Sequence, residues 1–165
     1  MALDGLQLRQ VMRRWCTGVT VLTTAEGGRR HGITVNSFTS LSLEPTLVLV
    51  CIDSKTRAHE AIPAAGHFAV NLLAAGQEDI SQRFAGRRPD LVDPFADLAP
   101  QAAPSGAPVL QGVLGYLDCA LHAALPGGDH TIYVGRVEHA WADDADRPPL
   151  VFFGGRYRTL GALPE

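Results

Sequence analysis

The sequence predicts a β-barrel carrying a few short helices. Three observations predict it. Six or more apolar or β-branched runs recur along the chain, with Gly, Pro, Asp and Ser between them. Only two or three stretches show helical spacing. And 165 residues, rich in Gly (17) and Pro (11), suffice to bury one core, so residues 1–165 read as one compact, turn-rich domain.

Asp4, with Gln7 three positions later, has the pattern of a capping box. Leu8, Val11, Met12 and Trp15 then recur on one helical face and predict a first helix ending near Thr17-Gly18. The β-branched run 19–24 predicts a strand, Glu26-Gly27-Gly28 a tight turn, and 31–36 the returning partner strand. Glu44-Pro45 marks a turn, because Pro fixes φ. The run 47–52 is apolar at every position and predicts a strand buried on both faces. It stops at Asp53-Ser54-Lys55-Thr56, where Ser54 is placed to cap a short helix that Pro63 stops.

Residues 67–73 predict another strand, and Gly76 precedes a helix over 77–85 whose Ile80 and Phe84 share a face. The stretch 86–108 holds five prolines and little periodicity, and predicts a long surface loop. Beyond it the chain is strand-like: 116–123, a turn at Pro126-Gly127-Gly128-Asp129, then 131–141 broken at Gly135. An acidic loop over 143–149 leads to a last strand, 150–153, before Gly154-Gly155-Arg156-Tyr157.

Composition excludes several classes. A formal net charge of -3 without a basic stripe argues against a nucleic-acid partner. No apolar run approaches the roughly 20 residues that span a bilayer, and residues 1–4 show no leader pattern. Three cysteines, Cys16, Cys51 and Cys119, are odd in number and far apart, which fits a reducing cytoplasm and neither a disulfide framework nor a zinc site. No metal-ligand spacing stands out; His122 and His130 are eight apart across a turn, and most paired His on adjacent strands are not ligands. Gly-x-Gly-x-x-Gly, P-loop and Gly-x-Ser-x-Gly patterns are absent.

Three short motifs carry chemistry. A helix start offers free N–H groups and partial positive charge, so Ser54-Lys55-Thr56 forms a phosphate cradle, although the same residues fit an ordinary strand and capped helix. In Gly127-Gly128-Asp129-His130, Asp129 can orient an imidazole that exchanges protons near neutral pH; the alternative is a hairpin with an exposed His. In Gly154-Gly155-Arg156-Tyr157 the glycines permit close approach, and Tyr157 offers a face for stacking.

In this order the pieces resemble the short-chain flavin reductases, the split-barrel FMN-binding reductase components of two-component flavin-dependent monooxygenases. The resemblance rests on the following residues. They are Trp15-Cys16-Thr17-Gly18-Val19-Thr20-Val21-Leu22-Thr23-Thr24, Gly32-Ile33-Thr34-Val35-Asn36-Ser37-Phe38-Thr39-Ser40, Ser42-Leu43-Glu44-Pro45, Arg83-Phe84-Ala85, Gly128-Asp129-His130 and Gly154-Gly155-Arg156-Tyr157. It covers nearly the whole chain and is weakest over 87–108.

The resemblance implies a Greek-key split barrel with two to four short helices, assembled as a homodimer with flavin near the interface. It implies an NAD(P)H:flavin oxidoreductase that takes NADH, with NADPH as an alternative, and FMN, with FAD as an alternative. Reduced flavin would pass to a partner monooxygenase. A tight flavin-binding oxidase and a non-catalytic flavin or haem binder are the other readings of such a barrel. For residues, the resemblance implies that Thr34, Val35, Asn36, Ser37 and Ser40 line the flavin ring and ribityl chain. Cys51, Ile52 and Asp53 would follow its edge. Ser54, Lys55 and Thr56 would hold the phosphate, Arg83 and Phe84 would close over the flavin, and His130 and Tyr157 would act on the nicotinamide side.

Overall fold

A computed structural model describes residues 4–160; residues 1–3, read above as part of a leaderless start, lie outside the described residues. In chain order the elements are α1 (Gly5–Met12), β1 (Thr17–Gly18), β2 (Thr20–Glu26), β3 (Arg29–Val35), β4 (Thr39–Leu43), β5 (Thr46–Asp53), α2 (Arg57–Ala65) and β6 (His67–Leu72). There follow α3 (Glu78–Phe84), β7 (Gln101–Ala102), β8 (Pro108–Val109), β9 (Gly115–Gly127), β10 (His130–Ala142), β11 (Val151–Phe153) and β12 (Arg156–Arg158). The expected fold class is observed: mainly β, with three short helices among the described residues.

Seven strands form one antiparallel sheet in the order β3-β2-β6-β9-β10-β5-β4. Edge strand β3 also contacts β5 near the opposite edge, so the sheet curls into an incompletely closed barrel. Inside lie Leu22, Val50, Ile52, Phe68, Val70 and Tyr133, plugged by Ala58 and Ile62 of α2. A second core, with Val21, Leu73, Phe84, Phe95, Leu110 and Leu150, packs on the outer face. Full burial of such a side chain contributes roughly 1.5–3 kcal/mol.

The strand alternation shows why β2 and β5 differ. On β2, Leu22 points into the barrel and Val21 into the outer core, so both faces are buried. β5 was expected to match it and does not. Val48, Val50 and Ile52 are buried, while Leu47, Leu49 and Cys51 are half-buried. The second core backs β2, whereas none of its residues belongs to β5.

Four further expectations are corrected. The capping box forms, with Gln7 N–H donating to Asp4 at 2.7 Å, but α1 stops at Met12, and its apolar residues Leu8, Val11 and Met12 stay exposed. Pro63 does not stop α2, which runs on to a left-handed Gly66. The carbonyl that Pro63 leaves without an N–H, on His59, instead accepts the Tyr133 hydroxyl at 2.9 Å. The stretch 86–108 is more than surface loop: Phe95 is 2 % exposed and packs edge-on against Phe84 at 4.8 Å. Gly135 does not end β10 but sits at a register shift. A Cβ there would come within 2.4 Å of the Phe68 ring, so only glycine fits.

Candidate functional site

The end of β5 is built from backbone ties. Its antiparallel pairing with β10 sets Asp53 opposite His130. Ser54 donates twice to the Asp129 carbonyl, from N–H at 3.1 Å and from Oγ at 2.9 Å. Thr56 donates to the Asp53 carbonyl from N–H at 3.1 Å and from Oγ1 at 2.8 Å, while Lys55 N–H donates to Asp53 Oδ1 at 2.9 Å. Thr56, not Ser54, is the N-cap residue of α2, and its side chain makes no capping bond. Each hydroxyl has one hydrogen, and both are already donated within the chain. The Lys55 ammonium is exposed and makes no ion pair among the described residues.

Asp129 Oδ1 lies 2.7 Å from His130 Nδ1. A carboxylate can only accept, so Nδ1 donates to it and Nε2 takes no part in the bond. The hydrogen bond from His130, with its charge and a small contribution from Lys55, holds the Asp129 carboxyl below its ordinary value. Behind this end, His59 Nε2 lies 2.9 Å from Thr131 Oγ1.

A second group forms where β3 ends. Thr34 Oγ1 donates to the Ser81 carbonyl at 2.7 Å, and Tyr157 Oη donates to Ser81 Oγ at 2.9 Å. Tyr157 also meets Phe152 edge-on at 5.6 Å. Ser81, 1 % exposed, therefore joins α3 to both strands, a role that sequence reading missed. Ser37 satisfies both backbone groups of Cys51: its Oγ accepts from Cys51 N–H at 3.2 Å and donates to Cys51 O at 2.9 Å. Val35 and Ile52 turn their side chains into the core, so only their backbones are available to a ligand. Ser40 is exposed on β4, opposite Val48.

Three clefts meet at Asn36. The largest, about 760 Å³, lies between α1 and the β11–β12 turn, with walls that include Trp15, Ser37, Phe38 and Phe152. A second, about 460 Å³, shares Trp15, Thr17, Asn36 and Phe38 with it. A third, about 150 Å³, is lined by Thr34, Asn36, Ser81 and Tyr157. Asn36 is exposed at this junction, and Thr17 Oγ1, on the wall of the first two clefts, is buried without a hydrogen-bond partner among the described residues. Flat aromatic walls, a free amide and an orphan hydroxyl suit a planar heterocycle with polar edges, in a volume usual for ligand sites.

The fold thus gathers Thr34, Asn36, Ser37 and Tyr157 around the clefts and ties Cys51 to them through Ser37. Asp53, Ser54, Lys55, Thr56 and His130 form a separate group at the end of β5, two residues beyond Cys51. Arg83 and Phe84 join neither. Phe84 is 5 % exposed beneath Gly32, where a Cβ would lie 2.6 Å from its ring. Arg83 is committed to Asp79 Oδ2 at 2.7 Å and the Ala96 carbonyl at 2.9 Å, which holds the 86–100 stretch on α3. Among the described residues, no group of three or more His, Cys, Asp or Glu could hold a metal ion. Among the described residues, no helix is long and apolar enough to cross a membrane.

Residues 12–161 match the model of the flavin reductase like domain. Among curated proteins, the chain is 42 % identical to an NADH-dependent flavin reductase of a Rhodococcus species, over 96 % of this chain and 88 % of that protein. It is 39 % identical to the reductase subunit HsaB of a flavin-dependent monooxygenase of Mycobacterium tuberculosis, over 99 % and 85 %. Among solved structures, the NADH:FAD oxidoreductase SgcE6 of Streptomyces globisporus, in complex with NAD and FAD fragments, superposes with a TM-score of 0.88 at 41 % identity. That match covers 96 % of this chain and 93 % of the other. The chain belongs to the flavin reductase like family.

Proposed function

We propose that this member of the family is an NADH-dependent flavin reductase supplying reduced flavin to a separate monooxygenase. The observation that carries the reading is the Asn36 junction: an aromatic-walled cleft with a free amide and the orphan Thr17 hydroxyl, in a chain of this family. A flavin seated there would supply the ring that takes a hydride from NADH, leaving NAD+ and reduced flavin. The residues contribute position. Asn36 and Ser37 would hold the ring edge, Trp15, Phe38 and Phe152 would wall the ring, and Lys55 would hold a phosphate. His130, oriented by Asp129, positions the nicotinamide nucleotide. Orientation of this kind is the main contribution a protein makes to hydride transfer between two bound rings.

The flavin assignment moves toward FAD relative to the sequence-based expectation of FMN. Relatives whose names specify a flavin, such as the NADH-dependent FAD reductase of Streptomyces globisporus, specify FAD. NADH is preferred over NADPH because the NADH-dependent flavin reductase is 42 % identical to this chain, whereas the flavin reductase HpaC, complexed with NADP+, is 28 % identical. We place the enzyme in the cytoplasm, where NADH is held and Cys16, Cys51 and Cys119 stay reduced. It works as a homodimer: Leu8, Val11 and Met12 on α1 and Leu43 on β4 are exposed apolar surface that a second copy would cover.

Steady-state kinetics with FMN, FAD and riboflavin against NADH and NADPH test the reading. NADH oxidation that requires added flavin, fastest with FAD, is the expected result. Oxidation without added flavin indicates a tight flavin-binding oxidase, and none under any condition indicates a binding protein; either outcome rejects the proposal.

A further inference from the structure

Beside the largest cleft lies a smaller one, of about 520 Å³, lined by Gln10, Arg13, Arg14, Phe153, Gly154, Arg156 and Arg158. Four arginines and one glutamine line it, with no acidic residue. None of the four arginines forms an ion pair among the described residues; Arg30, Arg83, Arg88, Arg136 and Arg147 each hold a carboxylate, while Arg9, Arg29, Arg57 and Arg87 are likewise without one but do not line this cleft. In a chain whose acidic residues outnumber its basic ones, 17 to 14, this local excess of positive charge is a departure from the whole.

The fold builds the cluster. The Gly154 N–H donates to the Arg13 carbonyl at 3.0 Å, so the end of α1 is tied to the β11–β12 turn. The Arg13 guanidinium lies over that turn, 3.7 Å from where a Cβ of Gly155 would stand. On β12, alternation turns Tyr157 inward to Ser81 and leaves Arg156 and Arg158 together on the exposed face. Held side by side, these charges repel one another, and an anion relieves that repulsion. The cleft shares Gln10, Arg13, Phe153 and Gly154 with the 760 Å³ cleft, so an anion here continues a ligand seated there.

We infer that Arg13, Arg14, Arg156 and Arg158 form a subsite for the diphosphate-bearing adenylate half of a dinucleotide substrate. The inference rests on the proposed flavin-reductase reading for what fills the larger cleft. Guanidinium forks match phosphate oxygens in pairs. A concave, arginine-lined cleft suits a small polyanion better than it suits a protein surface. NADH and FAD both carry the adenylate diphosphate, and an experiment can separate them.

The test uses the double variant Arg156→Gln/Arg158→Gln, whose positions are exposed. It compares FAD with FMN, using reduced nicotinamide mononucleotide as donor, and NADH with that mononucleotide, using FMN as acceptor. The expected result is a KM raised about tenfold to hundredfold for at least one dinucleotide. The arm affected identifies which dinucleotide occupies the subsite, and the pair lacking adenylate keeps its kcat/KM. Unchanged KM values in both arms overturn the inference, and so does an equal loss with the two mononucleotides. Unchanged small-molecule kinetics with a loss of coupled turnover by an oxygenase would assign the cluster to an acidic protein, and also overturn it. Calorimetric titration with ADP-ribose, which has neither redox ring, separates this inference from the reading beneath it. Wild-type binding that the variant loses supports the subsite even if the protein reduces no flavin.

Discussion

At the end of β5 and on the β11–β12 hairpin, the chain brings polar side chains to its surface in two different ways. Beside β5, Ser54 and Thr56 hydroxyls are donated to the Asp129 and Asp53 carbonyls, so they shape the turn. What remains for a ligand is one ammonium, Lys55, and one imidazole, His130. On the hairpin, Tyr157 is tied inward to Ser81 while Arg156 and Arg158 face outward together. The difference teaches that a hydroxyl-rich motif can be architecture, with its hydroxyl hydrogens already donated within the chain.

The comparison is broken most severely by removing the single cation at β5. Lys55→Ala is expected to raise the FMN dissociation constant about tenfold to hundredfold, the worth of one charge-assisted hydrogen bond, with riboflavin almost unaffected. Titration of protein fluorescence with the two flavins checks it; equal weakening of both removes Lys55 from the phosphate site.

The hairpin is sharpened by Tyr157→Phe, which keeps the ring against Phe152 and deletes the bond to Ser81. One such bond contributes about 1 kcal/mol, so the melting temperature should fall by roughly 2–4 °C. If the hydroxyl only anchors the hairpin, kcat with NADH holds; a fall in kcat at unchanged fold would give Tyr157 a part in the reaction.

The smallest effect concerns His130 and acid. Asp129 titrates below its ordinary value because its carboxylate accepts from His130. The stabilisation is therefore present at neutral pH and lost as pH falls from the ordinary carboxylate range through that lowered value. In His130→Ala this dependence vanishes, so the small gap in melting temperature between the two proteins should begin to narrow near the ordinary carboxylate value, about pH 4, and close once pH has fallen through the lowered value of Asp129. In activity, the same variant should raise KM for NADH and spare flavin affinity. An unchanged kcat/KM would reduce His130 to hairpin decoration.

Much of the fold was legible because local rules agree with the tertiary result. The Asp4–Gln7 capping box, the β-branched run that became β2 and the glycine turn at 27–28 all formed where periodicity put them. What failed was set at long range. Whether β5 is covered on its outer face depends on what packs there, which its own residues do not encode. Phe95 is one aromatic in an aperiodic, Pro-rich stretch, and only the space beside Phe84 makes it core. Pro63 sits inside α2 because Tyr133, 70 positions later, takes the orphaned carbonyl. The site divided the same way. Asn36 and Ser37 were readable as a polar run, but Thr17, Phe38, Phe152 and Ser81 reach the clefts only through register. The pairing of Asp53 with His130 is likewise a product of the sheet. Arg83 and Phe84 looked like flavin contacts by resemblance, and their environment shows an ion-pair anchor and a core ring.

The central claim is that flavin enters and leaves as a substrate, and anaerobic reduction of a large molar excess of free FAD by NADH, with catalytic amounts of dialysed protein, tests it most directly. The account predicts that absorbance near 450 nm bleaches to completion over many turnovers, with no NADH consumed before flavin is added. Bleaching that halts after one flavin per protein, or no bleaching at all, would contradict it.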